Sequence, residues 1–284
     1  MPYITTKLTA YDSIHLSNQN TGLGNVLFQI ASVYGLANTH GYQCTFPYVK
    51  LYCEKLKKLY NFDHYKTILR NFYNEYEEDV KYGAVYNNTP YNKIRDINLV
   101  DILSKGQENI CVYGYLEVPS YFQPIREKIQ YMYSPDQESI ENIKRKYIRI
   151  FDNSYQNIAI HFRTNSDISL TSKFSNDYYT RAVTYCKKTF KNPHFYIFAD
   201  NITNVSIHSY GITENYTIIE GNPDYIDLWL MANCDHVVTT TSTFCWWGVY
   251  LNKNTDGHIL YDKDFSSQTF TPLDYSFVKN YIGI

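Results

Sequence analysis

An α/β fold built around parallel sheet follows from three observations on this chain of 284 residues. From Asn157 onward, short apolar runs alternate with amphipathic segments, the rhythm of strands and helices in turn. The runs are nearly continuously apolar rather than alternating, which fits strands covered by helices on both faces. Glycine or hydroxyl residues stand where a run gives way to a helical pattern, as in TGLGN and TTTSTF.

The elements follow in order. Residues 25–38 carry Val26, Leu27, Ile30, Ala31, Tyr34 and Leu36 at helical spacing, and Gly41 offers a left-handed stop. Residues 42–46 read as a strand. The Lys- and Tyr-rich stretch 50–95 yields no assignable element, and 110–115 reads as a strand. A mostly polar helix over 137–151 lies on the surface and marks a join near residue 150, so the chain divides into domains at 1–150 and 151–284. The second half then reads strand 157–162, helix 177–190, strands 194–200 and 217–220, helix 224–234, strand 236–240, a helix within 239–251 and strand 258–261. In helix 177–190, Asn176 or Asp177 is the cap, and Tyr178, Ala182, Cys186 and Phe190 share a stripe.

Composition narrows the function classes. A formal charge of −2 and a pI near 6.4 leave no basic footprint, so nucleic acid is not an expected partner. The chain has no apolar run of membrane-spanning length and no signal-peptide pattern at its start, so a soluble, cytoplasmic or otherwise intracellular protein is expected. Cys44, Cys53, Cys111, Cys186, Cys234 and Cys245 are scattered without a CxxC, which predicts reduced, buried thiols. The histidines show neither HExxH nor zinc spacing with cysteine, so no metal is expected.

Five stretches are candidates for chemistry. In TTTSTFCWWGVYL (239–251), hydroxyls run into what reads as a helix start, where unpaired N–H groups suit a phosphate oxygen; an ordinary Ser/Thr cap above a tryptophan core accounts for the same pattern. In TGLGNVLFQIA (21–31), Gly22 and Gly24 permit close approach of a ligand and Asn25 can donate to an oxygen, or the glycines simply form a turn. Leu27 stands where a dinucleotide fingerprint needs its third glycine. In HFRTNSD, His161 and Arg163 share a face at the carboxyl end of a strand, the edge where open α/β sheets bind ligands. An Arg there suits phosphate or a solvated ion pair. Asp200, past the end of HFYIFAD, either accepts two N–H bonds from guanine or caps the next helix. Asp262 and Asp264 form a DxD pair of the kind some glycosyltransferases use to hold a cation; this one reads as a turn.

Taken in order, GLGNVLFQIA, GYLEVPSYF, HFR, DYYTRA, FYIFAD and DLWLMANCDHVVTTTSTFCWWGVYLN resemble the α-1,2-fucosyltransferases of glycosyltransferase family 11. The set spans nearly the whole chain, and Phe244, Trp246, Trp247 and Gly248 are its sharpest part. The resemblance implies a GT-B arrangement, two Rossmann-like domains facing a central cleft. It also implies GDP-fucose as donor, held mostly by the second half, a galactose-terminated glycan as acceptor, and no required metal or cofactor.

Carried over residue by residue, the resemblance implies that Arg163 contacts the donor diphosphate, His161 and Asp200 lie near guanosine, and Ser242 and Thr243 contact phosphate. Phe244 and Gly24 belong with the donor site, and Asn25 reaches in from the first domain. Asp167 and Glu117 are the candidate general bases. The chain departs from the family pattern H-x-R-R-x-D: Thr164 replaces the second Arg and Asp167 falls one residue late. Leu116 and Glu117 stand where Trp and Gln are usual, and Cys245 where Ser is common. Two other readings remain open on these residues: a GDP-sugar transferase with another donor sugar or linkage, and a catalytically silent carbohydrate- or nucleotide-binding protein.

Overall fold

The computed structural model describes residues 1–8, 22–60, 67–73, 83–88, 99–106, 108–163, 172–173, 177–267 and 273–284. Thr164, Asp167 and Asn176 lie outside the described residues. The chain forms two compact units, Met1–Asp136 and Gln137–Ile284.

The first unit runs β1 (Tyr3–Lys7), α1 (Leu23–His40), β2 (Gln43–Cys44), α2 (Pro47–Tyr60), α3 (Arg70–Tyr73), β3 (Ala84–Asn88), α4 (Leu99–Lys105), β4 (Ile110–Gly114) and α5 (Arg126–Met132). Its strands pair in parallel in the order β2-β1-β4-β3. Helix α1 is buried along most of its length and stops where Gly41 turns left-handed at φ 72°, its N–H returning to the Ala37 carbonyl. That is the stop expected from the sequence. The expected strand over 42–46 shortens to β2, and β1 is new. Its Thr5 and Thr6 are polar yet buried, and Thr5 Oγ1 meets its need by donating to the Thr45 carbonyl at 2.6 Å.

Helix α1 also fixes the loop after β4. Gln29 Nε2 donates to the Gly114 carbonyl, and Ser32 Oγ donates to the Leu116 carbonyl at 2.8 Å. One helical turn on, Gly35 lets the turn at 119–122 approach: a Cβ there would sit 2.2 Å from the Tyr121 oxygen.

The second unit runs α6 (Gln137–Lys146), β5 (Gln156–Phe162), β6 (Ser172–Lys173), α7 (Tyr178–Thr189), β7 (Pro193–Ala199), β8 (Tyr216–Ile218), α8 (Asp224–Met231), β9 (His236–Val238), α9 (Thr243–Leu251), β10 (His258–Tyr261), β11 (Ser266–Ser267) and β12 (Asn280–Gly283). The large sheet is parallel in the order β12-β10-β9-β5-β7-β8. Numbered by first appearance in that sheet, its strands lie in the order 6-5-4-1-2-3, the doubly wound arrangement of a Rossmann fold. The order of strand addition reverses between β5 and β9, which run parallel, so the crevice beyond their carboxyl ends is the topological switch point.

The core against one face joins Ile158, Ile160, Ile197, Val238 and Leu260 to Tyr178, Ala182 and Cys186 of α7. All of the expected α7 stripe is buried. The cap differs from expectation: Asp177 is at the N-cap but makes no capping bond, because its carboxylate turns to Arg181 one turn on. Among the described residues no helix is long and apolar enough to cross a membrane.

Candidate active site

At the switch point, two strand ends are tied together by a polar contact. His161, next to last in β5, is buried with its Nδ1 3.0 Å from Thr240 Oγ1 in the segment after β9. Its ring lies 5.8 Å from that of Phe244. Burial first, and then the charge of Arg163, pull its pKa from 6.5 to about 3, so the imidazole is neutral at physiological pH. Tyr179 Oη donates to the His161 carbonyl at 3.3 Å and its ring packs on Phe162 at 4.4 Å. Arg163 follows immediately beyond the strand and is exposed. A buried, neutral histidine thus anchors the strand end beyond which Arg163 stands exposed.

On the β9 side, Ser242 is the N-cap of α9. Its Oγ accepts from the Phe244 N–H at 3.2 Å, and its own N–H donates to Thr240 Oγ1 at 3.3 Å. The capping alternative therefore holds for the Ser242 oxygen, whose one proton remains able to donate. Thr243 begins the helix and is half-buried. With no acidic residue in the first turn of α9, nothing on that turn repels an anion.

This turn is rigid because of what lies beneath it. Trp246 and Trp247 are fully buried and meet edge to face at 5.1 Å, and Trp246 Nε1 donates to the Asp274 carbonyl at 2.8 Å. A Cβ on Gly248 would sit 2.4 Å from Met231 Sδ, so only glycine lets α9 and α8 approach this closely. Tyr178 Oη lies 2.9 Å from the carbonyls of both Thr239 and Leu260, pinning the end of β9 beside β10. The Cys245 thiol is buried and pushed up to about 12, chiefly by desolvation, so it is inert.

Asp200 stands exposed just past β7, the other neighbour of β5. The helix-capping alternative belongs to Asn201 instead, whose Oδ1 accepts from the Thr203 N–H at 3.1 Å. His161, Arg163, Asp200, Ser242, Thr243 and Phe244 thus all belong to one edge of one sheet. The model of glycosyl transferase family 11 matches residues 5–284.

The chain belongs to this family.

Curated relatives include an Escherichia coli alpha-1,2-colitosyltransferase, 26% identical over 152 residues, or 50% of this chain and 51% of that protein. A second is the Escherichia coli O-antigen biosynthesis glycosyltransferase WbnK, 22% identical over 157 residues, or 51% of this chain and 52% of that protein. The chain spans about half the length of the curated relatives it matches. Among solved structures, the NodZ alpha-1,6-fucosyltransferase co-crystallized with GDP superposes with a TM-score of 0.56 at 13% identity, covering 94% of this chain and 98% of that one. An Arabidopsis thaliana FUT1 variant in complex with GDP superposes with a TM-score of 0.54 at 14% identity, covering 92% of this chain and 70% of that one. These likenesses show a shared fold.

In the first unit of this family 11 chain, Gly24 and Asn25 lie in the first turn of α1, where the cap, Gly22, offers no side chain and no acidic residue follows. Glu117 is exposed in the turn after β4. That turn is tight: Leu116 has a φ of 53° and the Val118 N–H returns to its carbonyl at 2.7 Å. Asp167 lies outside the described residues.

The DxD pair is a turn. The Asp264 N–H donates to Asp262 Oδ1 at 3.2 Å, and Arg181 Nη2 pairs with Asp262 at 3.2 Å and Asp264 at 3.3 Å. Among the described residues no group of three or more His, Cys, Asp or Glu is arranged to hold a metal ion. The two residues that sequence reasoning missed are Thr240, the partner of His161, and Tyr178, the pin behind it. Thr240 was hidden in a hydroxyl run, and Tyr178 was read only as part of a buried helix stripe, which says nothing of its hydroxyl.

Proposed function

We propose that the chain transfers L-fucose from GDP-β-L-fucose to a sugar hydroxyl, galactose O2 of a galactose-terminated glycan, forming an α-1,2 linkage with inversion and without a metal. The reading rests above all on the cluster of Arg163, Thr243 and the α9 N-terminus at the switch point of a family 11 chain. The name of the alpha-1,2-colitosyltransferase supports the linkage, and the GDP in the NodZ and FUT1 complexes supports the nucleotide. Residues 151–284 are then the GDP-sugar-binding domain and 1–150 the acceptor-side domain, arranged as in GT-B.

In this mechanism the acceptor oxygen attacks the anomeric carbon from the face opposite the diphosphate. The new C–O bond forms as the bond to the β-phosphate oxygen breaks, so a β-linked donor gives an α-linked product. The acceptor proton passes to a carboxylate, Glu117 or Asp167, and GDP departs. Charge grows on the diphosphate as it leaves, where Arg163, the Ser242 and Thr243 hydroxyls and the α9 N–H groups stabilise it. Asn25 and Gly24 bind the donor from the first domain, His161 and Asp200 hold guanosine, and Phe244 packs beside His161.

A panel of nucleotides and sugar nucleotides, read by thermal shift and then by transfer to a glycan array, tests this reading. GDP and GDP-fucose should stabilise the protein while UDP and CDP sugars do not, and label should reach galactose-terminated glycans. No stabilisation by any guanine nucleotide overturns it. A second reading, favoured by the colitosyltransferase relative, keeps the GDP site and changes the sugar. It predicts GDP binding with transfer from GDP-colitose in preference to GDP-fucose.

A further inference from the structure

Opposite the candidate active site, at the amino-terminal edge of the same sheet, the starts of β5 and β9 border a cleft of about 570 Å³. That size falls among small-ligand sites, roughly 300–1,000 Å³. Strand β5 is seven residues long, so at ~3.3 Å per residue the two edges lie about 20 Å apart. The cleft is therefore separate from the switch point.

Its wall is mostly polar, with aromatic rings at one side. Asn153, Asn233 and Asn254 bring amides, Asp235 and Asp256 carboxylates, and Phe151 and Tyr155 aromatic rings. Most of this inventory is already engaged on one side: Asn233 Nδ2 donates to the Trp229 carbonyl at 2.7 Å, Asp235 Oδ2 accepts the Asn157 N–H at 2.8 Å, Asn254 Oδ1 accepts the Asp256 N–H at 3.1 Å, and Asp256 pairs with Lys279 at 2.8 Å, which leaves their remaining donor and acceptor sites for a ligand. Two further lining residues, Asn157 and His236, are 3% and 6% exposed, and neither Asn157 Oδ1 nor His236 Nε2 has a hydrogen-bond partner among the described residues. His236 Nδ1 accepts the His258 N–H at 2.9 Å, which sets the proton on Nε2. Stacking on Phe190 at 3.6 Å holds that ring in place. Among the described residues, an unmet acceptor and an unmet donor thus belong to two residues that line the cleft, buried behind its surface, where polar groups ordinarily have partners.

We infer that this cleft is a second, non-catalytic site for a neutral saccharide. Vicinal hydroxyls both donate and accept, as the amides and carboxylates of the wall require, and the ring edges suit the apolar face of a sugar. The carboxylates disfavour an anion, and the cluster lacks a cation-holding set among the described residues. A site on this edge holds a remote part of a chain-like glycan while another part reacts, raising its effective concentration. The inference stands whatever the donor sugar is.

The test is a titration of the whole protein, labelled with [15N]asparagine, with galactose, N-acetylglucosamine, fucose and lactose to about 20 mM, above the ~1 mM Kd typical of weak binding. The side-chain amide signals of Asn233 and Asn254 should shift, saturate and be unaffected by prior addition of GDP. Asn153→Trp, at an exposed position on the rim, should fill the cleft and weaken the response at least tenfold; Tyr155→Ala should weaken it without filling the cleft. Silence with every saccharide, a response only to inorganic phosphate or calcium, or shifts that survive Asn153→Trp overturn the inference.

Discussion

Thr240→Val is the substitution that most sharply probes how the switch point is held. Valine keeps the branched shape and removes one hydroxyl. In the native protein that oxygen lies 3.0 Å from His161 Nδ1 and accepts the Ser242 N–H at 3.3 Å. Thr240, His161 and Ser242 are all at least nine-tenths buried, so water does not replace what is lost. Leaving a buried polar group unmet costs about 1–3 kcal/mol, and the two orphaned groups share one site, so their costs do not simply add. At roughly 2–4 °C per kcal/mol, the unfolding midpoint of the second unit should fall by several degrees. The same change loosens the end of β5 next to Arg163 and the cap of α9, so GDP should bind more weakly. Thr240→Ser, which retains the hydroxyl, should lose less of both. Calorimetric unfolding with GDP titration reads the two effects together. If Thr240→Val unfolds and binds GDP as the native protein does, the His161–Thr240 contact does not hold the site.

Other expectations follow from the same packing. Gly248→Ala drives a methyl to within 2.4 Å of Met231 Sδ, so it should destabilise the protein by about 1–3 kcal/mol in chemical denaturation, and native stability would show that the two helices do not need the glycine. His161 is held from 6.5 down to about 3, a depressed histidine; its neutral burial favours the fold fully above pH 6.5 and progressively less as pH falls toward 3, with a slope of at most ~1.4 kcal/mol per pH unit. His161→Phe should flatten that part of the stability profile. Asp227 has the opposite sense: desolvation raises it from 3.8 to about 7, so its contribution is intact below pH 3.8 and is lost as pH rises through 7. Asp227→Asn, which can still accept from Asn222 Nδ2, should therefore stabilise the protein at pH 8 by about 1–2 kcal/mol, with the gap closing near pH 4.

Much of the second unit was legible because its strands and helices carry regular apolar patterns. Ile158, Ile160, Val238 and Leu260 announce buried strands, and Tyr178, Ala182 and Cys186 a helix face. The strand order was not legible, since it depends on pairings distant in sequence such as Ile160 with Val238. Only that order turns a set of strand ends into a switch point. In the first unit, β1 was hidden because its buried Thr5 and Thr6 look like surface until the partner of Thr5, the Thr45 carbonyl, is known. At the site, the tryptophan pair read correctly as packing, and the DxD pair read correctly as a turn. The caps were legible only as alternatives: of Asn176 and Asp177, Asp177 stands at the N-cap of α7 without a capping bond and Asn176 lies outside the described residues, while the capping alternative for Asp200 falls to Asn201. Neighbouring polar residues compete for one cap, and sequence alone does not choose between them.

The central claim is that the leaving diphosphate is stabilised at the switch point, with Arg163 as its main charge. The direct measurement is kcat for fucosyl transfer from GDP-fucose by Arg163→Ala beside the native protein, with unfolding recorded for both. Because Arg163 is exposed beyond the end of β5, the substitution should leave the unfolding midpoint unchanged. The account predicts a fall in kcat on the order of 10² or more with the fold intact. Native-level transfer by Arg163→Ala would contradict it.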